Sequence, residues 1–496
     1  MRILAAVVAA LLSVSTATAD LTLVSANRSR SGSGNGASKN ASVSGDGTIV
    51  AFQSDARDLV DNDGNIWTDA FIYDARTQST ALVSVNTSGT SGNRDSHDPI
   101  VSADGRYVLF SSSAGDLVST PVSRNGDVFV RDLATNTTAL VSVNRSGDGG
   151  GNAGSTAIAI SADGAMVLFR SLATNLVALS DDNNEEDIFA RNMRTGETQL
   201  VSMNRYGDGT PNDLSFDATM SADGRFAVFC SIANNVIPND GNTNTDIFLR
   251  DLVRRQTTLV SANTAGQPAN RGAFRPSLSR DGGRISFDSI ASDLTTADAN
   301  GNDSDIFVRD LPAGPTRAAS VDESGATVKG DTFKASLSAD GRFVVFTTPA
   351  RLLAVDQNGI SDAYARDIDG GRSILLNSTA AGVAGNGGSS DAVISASSRF
   401  AAFVSTSTNL GFQDSNAGGD VFVKDLVTGE LRLVSATPGG SSGDRSSSRP
   451  RISDDGSTVV FESAATNLVA GDKNNTTDVF ASFPPAPPRR RATRHP

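Results

Sequence analysis

Scarcity marks this sequence. Its 496 residues hold one cysteine, one tryptophan, two histidines and, on counting, six glutamates among 55 acidic residues, which leaves 49 aspartates. A single cysteine, Cys230, excludes any intrachain disulfide. It follows Phe229 in an apolar run and reads as a small buried thiol. With only His97 and His495, no Ser-His-Asp, Cys-His or HExxH arrangement can be assembled from the motifs present. A net charge of −13 argues against nucleic acid, which needs a basic face. Long apolar runs are missing too: the longest, Ile3 to Val14, falls short of the roughly 20 residues that span a bilayer. That run follows Arg2 and precedes Ala17-Thr18-Ala19, the pattern of a secretory signal over 1–19, with cleavage expected after Ala19 and a periplasmic or secreted mature chain. The imbalance of aspartate over glutamate favours turns and strand ends, where the short carboxylate bonds nearby N–H groups, over helices.

What is abundant is repetition. The stretch Ile100 to Phe110, Ile-Val-Ser-Ala-Asp-Gly-Arg-Tyr-Val-Leu-Phe, recurs eight times. Its Asp-Gly falls at Asp46, Asp104, Asp163, Asp223, Asp281, Asp340 and Asp455, with Ser397-Ser398 in the same place of a degenerate copy, and successive copies lie 57 to 60 residues apart. A Phe stands six residues after each position, from Phe52 to Phe461. The motif reads as two strands, a and b, joined by a tight turn whose glycine takes φ > 0, with the Phe in a core. The Ser397-Ser398 turn is expected to be the least regular. A third strand, c, begins with Asp and carries an aromatic two residues on, as in Asp69/Phe71 and Asp362/Tyr364; a fourth, d, is the Leu-Val-Ser strand, such as 138–144.

Four antiparallel strands repeated in series make propeller blades. The last unit has no strand d after Phe480, whereas Leu21 to Asn27 is a strand d with nothing before it. Pairing the two closes a single eight-bladed, all-β propeller over 20–483 and leaves no open edge. A monomer is expected. The Pro- and Arg-rich stretch 484–496 has no apolar pattern and reads as a disordered tail.

Ser-x-Asp-Gly-x-x-x-x-Phe, then Asp-[Ile/Val]-Phe-x-[Arg/Lys]-Asp, then Leu-Val-Ser resembles the TolB-type, WD-repeat-like propeller repeat of bacterial exported proteins over about residues 20–483. That resemblance implies a propeller and, from the family's namesake, a periplasmic protein-binding role. The blades here are longer and more numerous than the namesake's.

The extra length lies in the b–c and d–a loops, which emerge on one face around the channel mouth, the expected binding surface. Within the b–c loops Asp-x-Asn-x-x-x-Asp recurs at Asp63/Asn65/Asp69, Asp181/Asn183/Asp187, Asp240/Asn242/Asp246, Asp356/Asn358/Asp362, Asp414/Asn416/Asp420 and Asp472/Asn474/Asp478. The first loop adds Asp61. Hard oxygens at alternate positions suit calcium, and these residues are the metal-site candidates; Asx turns capping strand c without metal are the alternative. His97 is placed in the first d–a loop as an exposed residue, and Trp67, inside the first b–c loop, is a binding candidate. The expected function is a non-catalytic binding or scaffold protein with another envelope or extracellular protein, or a polysaccharide, as partner. The alternative is a propeller enzyme, a hydrolase or lyase with carboxylate-only chemistry on carbohydrate or another extracellular polymer.

Overall fold

In the computed structural model, which describes residues 20–484 apart from 297, 299, 313 and 415, eight four-stranded antiparallel sheets form a ring. The first blade runs Ser38–Val43 (a), Ile49–Ser54 (b), Asp69–Asp74 (c) and Ser79–Leu82 (d). The other blades repeat that order, and the eighth borrows its strand d from the start of the chain. There Asp20–Leu23 pairs antiparallel with Asp478–Phe483, Leu23 opposite Phe480. The eight-bladed ring and its closure are therefore as the repeat predicts. The signal segment and the tail beyond Pro484 lie outside the described residues, where no helix is long and apolar enough to cross a membrane.

Cores form between blades rather than within them. Phe110 and Phe129 of blade 2 pack against Ile49, Ala51 and Ala70 of blade 1, and the aromatic pair of each blade sits with ring centroids 5.6 to 6.2 Å apart. Strand b is buried along almost its whole length because both faces meet a sheet. Cys230 is one of these buried residues.

Strand d is shorter than its apolar pattern: Thr137–Leu140 rather than 138–144. The reason is the serine of Leu-Val-Ser. Ser142 Oγ donates to Asp127 Oδ1 at 2.6 Å and accepts the Val128 N–H at 3.1 Å, so a hydroxyl replaces the backbone partner and the chain turns away.

The a–b turns are stitched to one another. The Gly45 N–H bonds Ala103 O at 2.9 Å, Asp104 N bonds Ala162 O at 3.0 Å, and like bonds join successive turns round to Asp454 N and Gly45 O at 2.9 Å. Only between blades 6 and 7 does a side chain serve instead, Ser398 Oγ donating to Asp340 Oδ1 at 2.6 Å. The expectation of an irregular seventh turn is corrected: Ser398 takes φ 60°, and its N–H bonds Ser395 O at 3.1 Å as the glycines do. Interblade bonding holds the serine where a glycine would sit freely. Gly105, Gly164 and Gly224 have φ of 72°, 69° and 70°. A Cβ on Gly224 would lie 2.5 Å from Met166 Cγ of the preceding blade, so left-handed strain and overlap act together. Gly224→Val will destabilise by about 3 kcal/mol; a urea midpoint unchanged from that of the parent chain would refute this.

Candidate functional site

The b–c loops come first, because sequence singles them out. Their asparagines act as buttons. Asn65 Oδ1 accepts the Trp67 N–H at 2.6 Å, an Asx turn, while its Nδ2 donates to Asp69 Oδ2 at 2.8 Å and to Gly92 O of the d–a loop at 2.7 Å. Asn183, Asn242, Asn358, Asn416 and Asn474 make the same turn and fasten to the carbonyls of Pro211, Ala269, Gly385, Gly443 and Gly34. Asp61 is drawn away from the first loop's cluster by an ion pair with Arg28 at 3.1 Å. Among the described residues no three His, Cys, Asp or Glu side chains converge as metal ligands would.

Each motif nonetheless buries its last carboxylate, and four of the six, at Asp63, Asp240, Asp356 and Asp472, bury the first as well. Burial pushes Asp69, Asp187, Asp246, Asp420 and Asp478 up to about 7, and Asp127 and Asp305 up to about 6. Asp362 moves up as well, by burial and the nearby Asp356 charge. In the sixth blade the Tyr364 hydroxyl donates to Asp356 Oδ2 at 2.5 Å. Phenylalanine stands at that position elsewhere, and Asp240 Oδ1 and Asp472 Oδ1, in side chains only 8% and 5% exposed, have no hydrogen-bond partner.

The serine clasp recurs in seven blades, with Asn377 Nδ2 donating to Asp362 Oδ1 in the sixth, and the Asn-fastened loop of the Asp-x-Asn-x-x-x-Asp motif in six; the departures from eightfold symmetry in charge gather in strand a, around the channel. In seven blades this strand carries a bulge whose residue has φ between 44° and 58°: Asn40, Asp98, Asp217, Arg275, Lys334, Asp391 and Arg449. Ala157 holds the equivalent place in blade 3. Several bulge N–H groups are received by the residue after the strand-b Phe of the preceding blade: Asp98 N by Gln53 Oε1 at 2.9 Å, Ala157 N by Ser111 Oγ at 2.9 Å, and Asn40 N by Glu462 Oε1 at 2.8 Å. The side chains form a ring of unlike charges. Lys334 Nζ pairs with Asp391 Oδ1 at 2.9 Å, Arg449 Nη1 bonds Asn40 Oδ1 at 3.0 Å, and Asn40 Nδ2 bonds Asp98 Oδ1 at 2.7 Å.

His97 belongs here, and its placement in a loop is corrected. It lies within strand a of blade 2 (Ser96–Val101), opposite Ser111, with Nδ1 3.0 Å from Asp98 Oδ2. That hydrogen bond holds the Asp98 carboxyl below its usual range. At the same mouth the Arg275 guanidinium lies over the ring of Phe333, itself 41% exposed. The opposite mouth is barred: Arg280 of blade 5 reaches across the axis to an ion pair with Asp454 of blade 8, where the other a–b turns offer small side chains such as Ala103, Ala162 and Ala222. The channel is thus a well, opening on the face of the b–c and d–a loops. That face also presents Ile66 and Trp67, 65% and 43% exposed.

Sequence reasoning passed over this ring. The signal was there: the residue four before each turn serine runs Asn, Asp, Ala, Asp, Arg, Lys, Asp, Arg while the frame around it stays constant.

No family model matches the chain, and no curated protein matches it. Among solved structures it is similar to an oligogalacturonate lyase in complex with manganese, at 12% identity and TM-score 0.46 over 95% of each chain. It is also similar to a prolyl endopeptidase, at 13% identity and TM-score 0.48 over 86% of this chain; the chain spans 54% of that enzyme's length. A TolB from Agrobacterium tumefaciens matches at 15% identity and TM-score 0.32, over 57% of this chain and 80% of its own. The propeller fold rests on the chain's own eight sheets, and at these levels the likeness adds nothing about activity.

Proposed function

We propose that the protein is an exported, non-catalytic binding propeller that holds a protein or polysaccharide of the envelope or the surroundings on its loop face, with the well beneath as the specificity element. One observation carries this: a frame repeated round the ring encloses a channel wall whose residue changes from each blade to the next, and that wall opens where the exposed Ile66 and Trp67 stand. A scaffold needs the first property and a recognition site the second. Calcium belongs to the proposal as a structural ion between the two carboxylates of the fourth and eighth b–c loops. The partnerless oxygens of Asp240 and Asp472 favour it there, while the Tyr364 hydroxyl removes the need in the sixth.

The test is retention from envelope and culture-medium fractions on immobilised residues 20–496, beside the double variant Ile66→Ser with Trp67→Ala. Both side chains are exposed, so the variant will fold and hold its partner at least about tenfold more weakly, as the loss of a central aromatic does. Equal retention by both proteins would end the proposal for this face. Release of shortened polymer fragments would favour the hydrolase or lyase reading instead.

A further inference from the structure

Deeper in the well, two residues beyond the bulge, the wall is made of short or aliphatic side chains in seven blades: Ser42, Ile100, Ala159, Thr219, Ser277, Ser336 and Val393. In the eighth it is Arg451. A cavity of about 400 Å³ opens here between blades 6, 7, 8 and 1, with Asn40, Lys334, Ser336, Asp391, Arg449 and Arg451 in its wall. Glu462 closes its outer side.

The charges in this wall do not balance. Lys334 is paired with Asp391 at 2.9 Å. Arg449 is paired with Glu462 at 3.5 Å, and the other oxygen of Glu462 is taken by the Asn40 N–H at 2.8 Å. Arg451 has one hydrogen bond, from Nη1 to the neighbouring Pro450 carbonyl at 3.1 Å, and among the described residues no carboxylate stands within ion-pair distance of it. The side chain is exposed to the well, and the wall around it still disfavours its charge, with Glu462 and Asp391 only partly offsetting this. A guanidinium does not relieve such a position by losing its proton. Three cations and two anions leave one positive charge, carried by Arg451, the one cation of this wall without a carboxylate partner among the described residues.

We propose that this pocket binds the carboxylate of a small ligand, one the size of a monosaccharide or a dipeptide end, with the Arg451 guanidinium taking both oxygens. Bidentate pairing is the geometry a carboxylate and a guanidinium share. The single surplus charge matches a monoanion; a phosphate or sulfate dianion would face Asp391 and Glu462 with charge left over. The volume lies at the lower end of small-molecule sites. Phe333 beneath Arg275 gives the mouth one apolar plate against which a ring or side chain can rest. The inference rests on the reading of the well as the specificity element, and it names what that element recognises.

Calorimetric titration of residues 20–496 tests it with glucuronate, with N-acetyl-dialanine, and with the uncharged counterparts glucose and N-acetyl-dialanine amide. One of the two acids will bind saturably and its uncharged counterpart will not; which acid binds tells whether a sugar acid or a peptide end is the source. Arg451→Gln will weaken that binding at least tenfold while melting as the parent does, since the side chain makes a single hydrogen bond. Ser336→Glu, which sets a carboxylate in the same wall, will do likewise with Arg451 intact. No saturable binding of either acid, equal binding of the uncharged forms, unchanged affinity in Arg451→Gln, or sulfate binding tighter than both acids would overturn the proposal. Loss of partner retention on replacing Ile66 and Trp67 stands or falls separately from these outcomes, so the two readings fail in distinguishable ways.

Discussion

Deleting residues 20–27 will give a protein that aggregates or melts lower by about 10 °C or more, because the deletion removes a strand and a closure together. The strand is Asp20–Leu23 against 480–483. The closure includes Leu23, Val24 and Ala26, all buried, and the Ser25 hydroxyl, which donates to Asp478 Oδ1 at 2.7 Å. Without them the edge of Asp478–Phe483 is bare, with Phe480 facing water, and Asp478 loses the partner that tempers its burial. Re-attaching residues 20–27 behind Phe483 through the c–d turn of the first blade, 75–78, will restore the melting point. A deletion that melts like the parent would mean the ring holds without its clasp.

Lowering the pH from 8 to 5 in EDTA will raise the melting temperature, on the order of 10 °C. The buried strand-c aspartates titrate at about 6 to 7 in the fold, against about 3.9 in an unfolded chain. Between those values the folded state holds more protons than the unfolded one, so its stability falls as pH rises through the window and is fully present only below it. One pKa unit is about 1.4 kcal/mol, and even one unit kept at each of eight sites is on the order of 10 kcal/mol. For a chain of this length that is about 10 °C. Below about pH 4 the sign reverses: Asp132, held at about 2 chiefly by its hydrogen bond from Arg106, contributes stability that is lost as it protonates. Millimolar calcium at pH 8 will recover part of the rise, since a cation between Asp240 and Asp246, or Asp472 and Asp478, removes the need for a proton. A melting point flat from pH 8 to 5 would show these carboxylates ionised throughout. Identical curves in calcium and EDTA at pH 8 would leave the loops as Asx turns alone.

The architecture was written in the sequence because nearly every blade repeats the same markers, 57 to 60 residues apart. Asp-Gly gives the turn, Phe the interblade core, Asp-x-Phe the third strand and Leu-Val-Ser the fourth. The end of strand d was not legible, since Val141 and Ser142 continue the apolar alternation while the hydroxyl diverts the chain. Nor was the bulge, because no glycine marks it: Arg275, Lys334 and Arg449 adopt left-handed backbone that their side chains do not advertise. That hidden bulge also misplaced His97. The aspartate loops drew attention by their regularity, which in a symmetric ring is the mark of the frame. The well lay instead in residues that disagree from blade to blade, and the cavity beside Arg451 exists only because four blades meet there.

The pairing of Ser25 with Asp478, 453 residues along the chain, also sets a clock. Bringing such distant segments together adds little to the free energy, since closure entropy grows only with the logarithm of length. The rate is another matter, because contacts of high sequence separation slow folding. Seven blades can assemble from neighbours as their strands become available, but the eighth must wait for the first-made segment to find the last. During that interval the open third strand of the eighth blade is the point at which two half-closed molecules can exchange first strands and emerge as an interlocked pair.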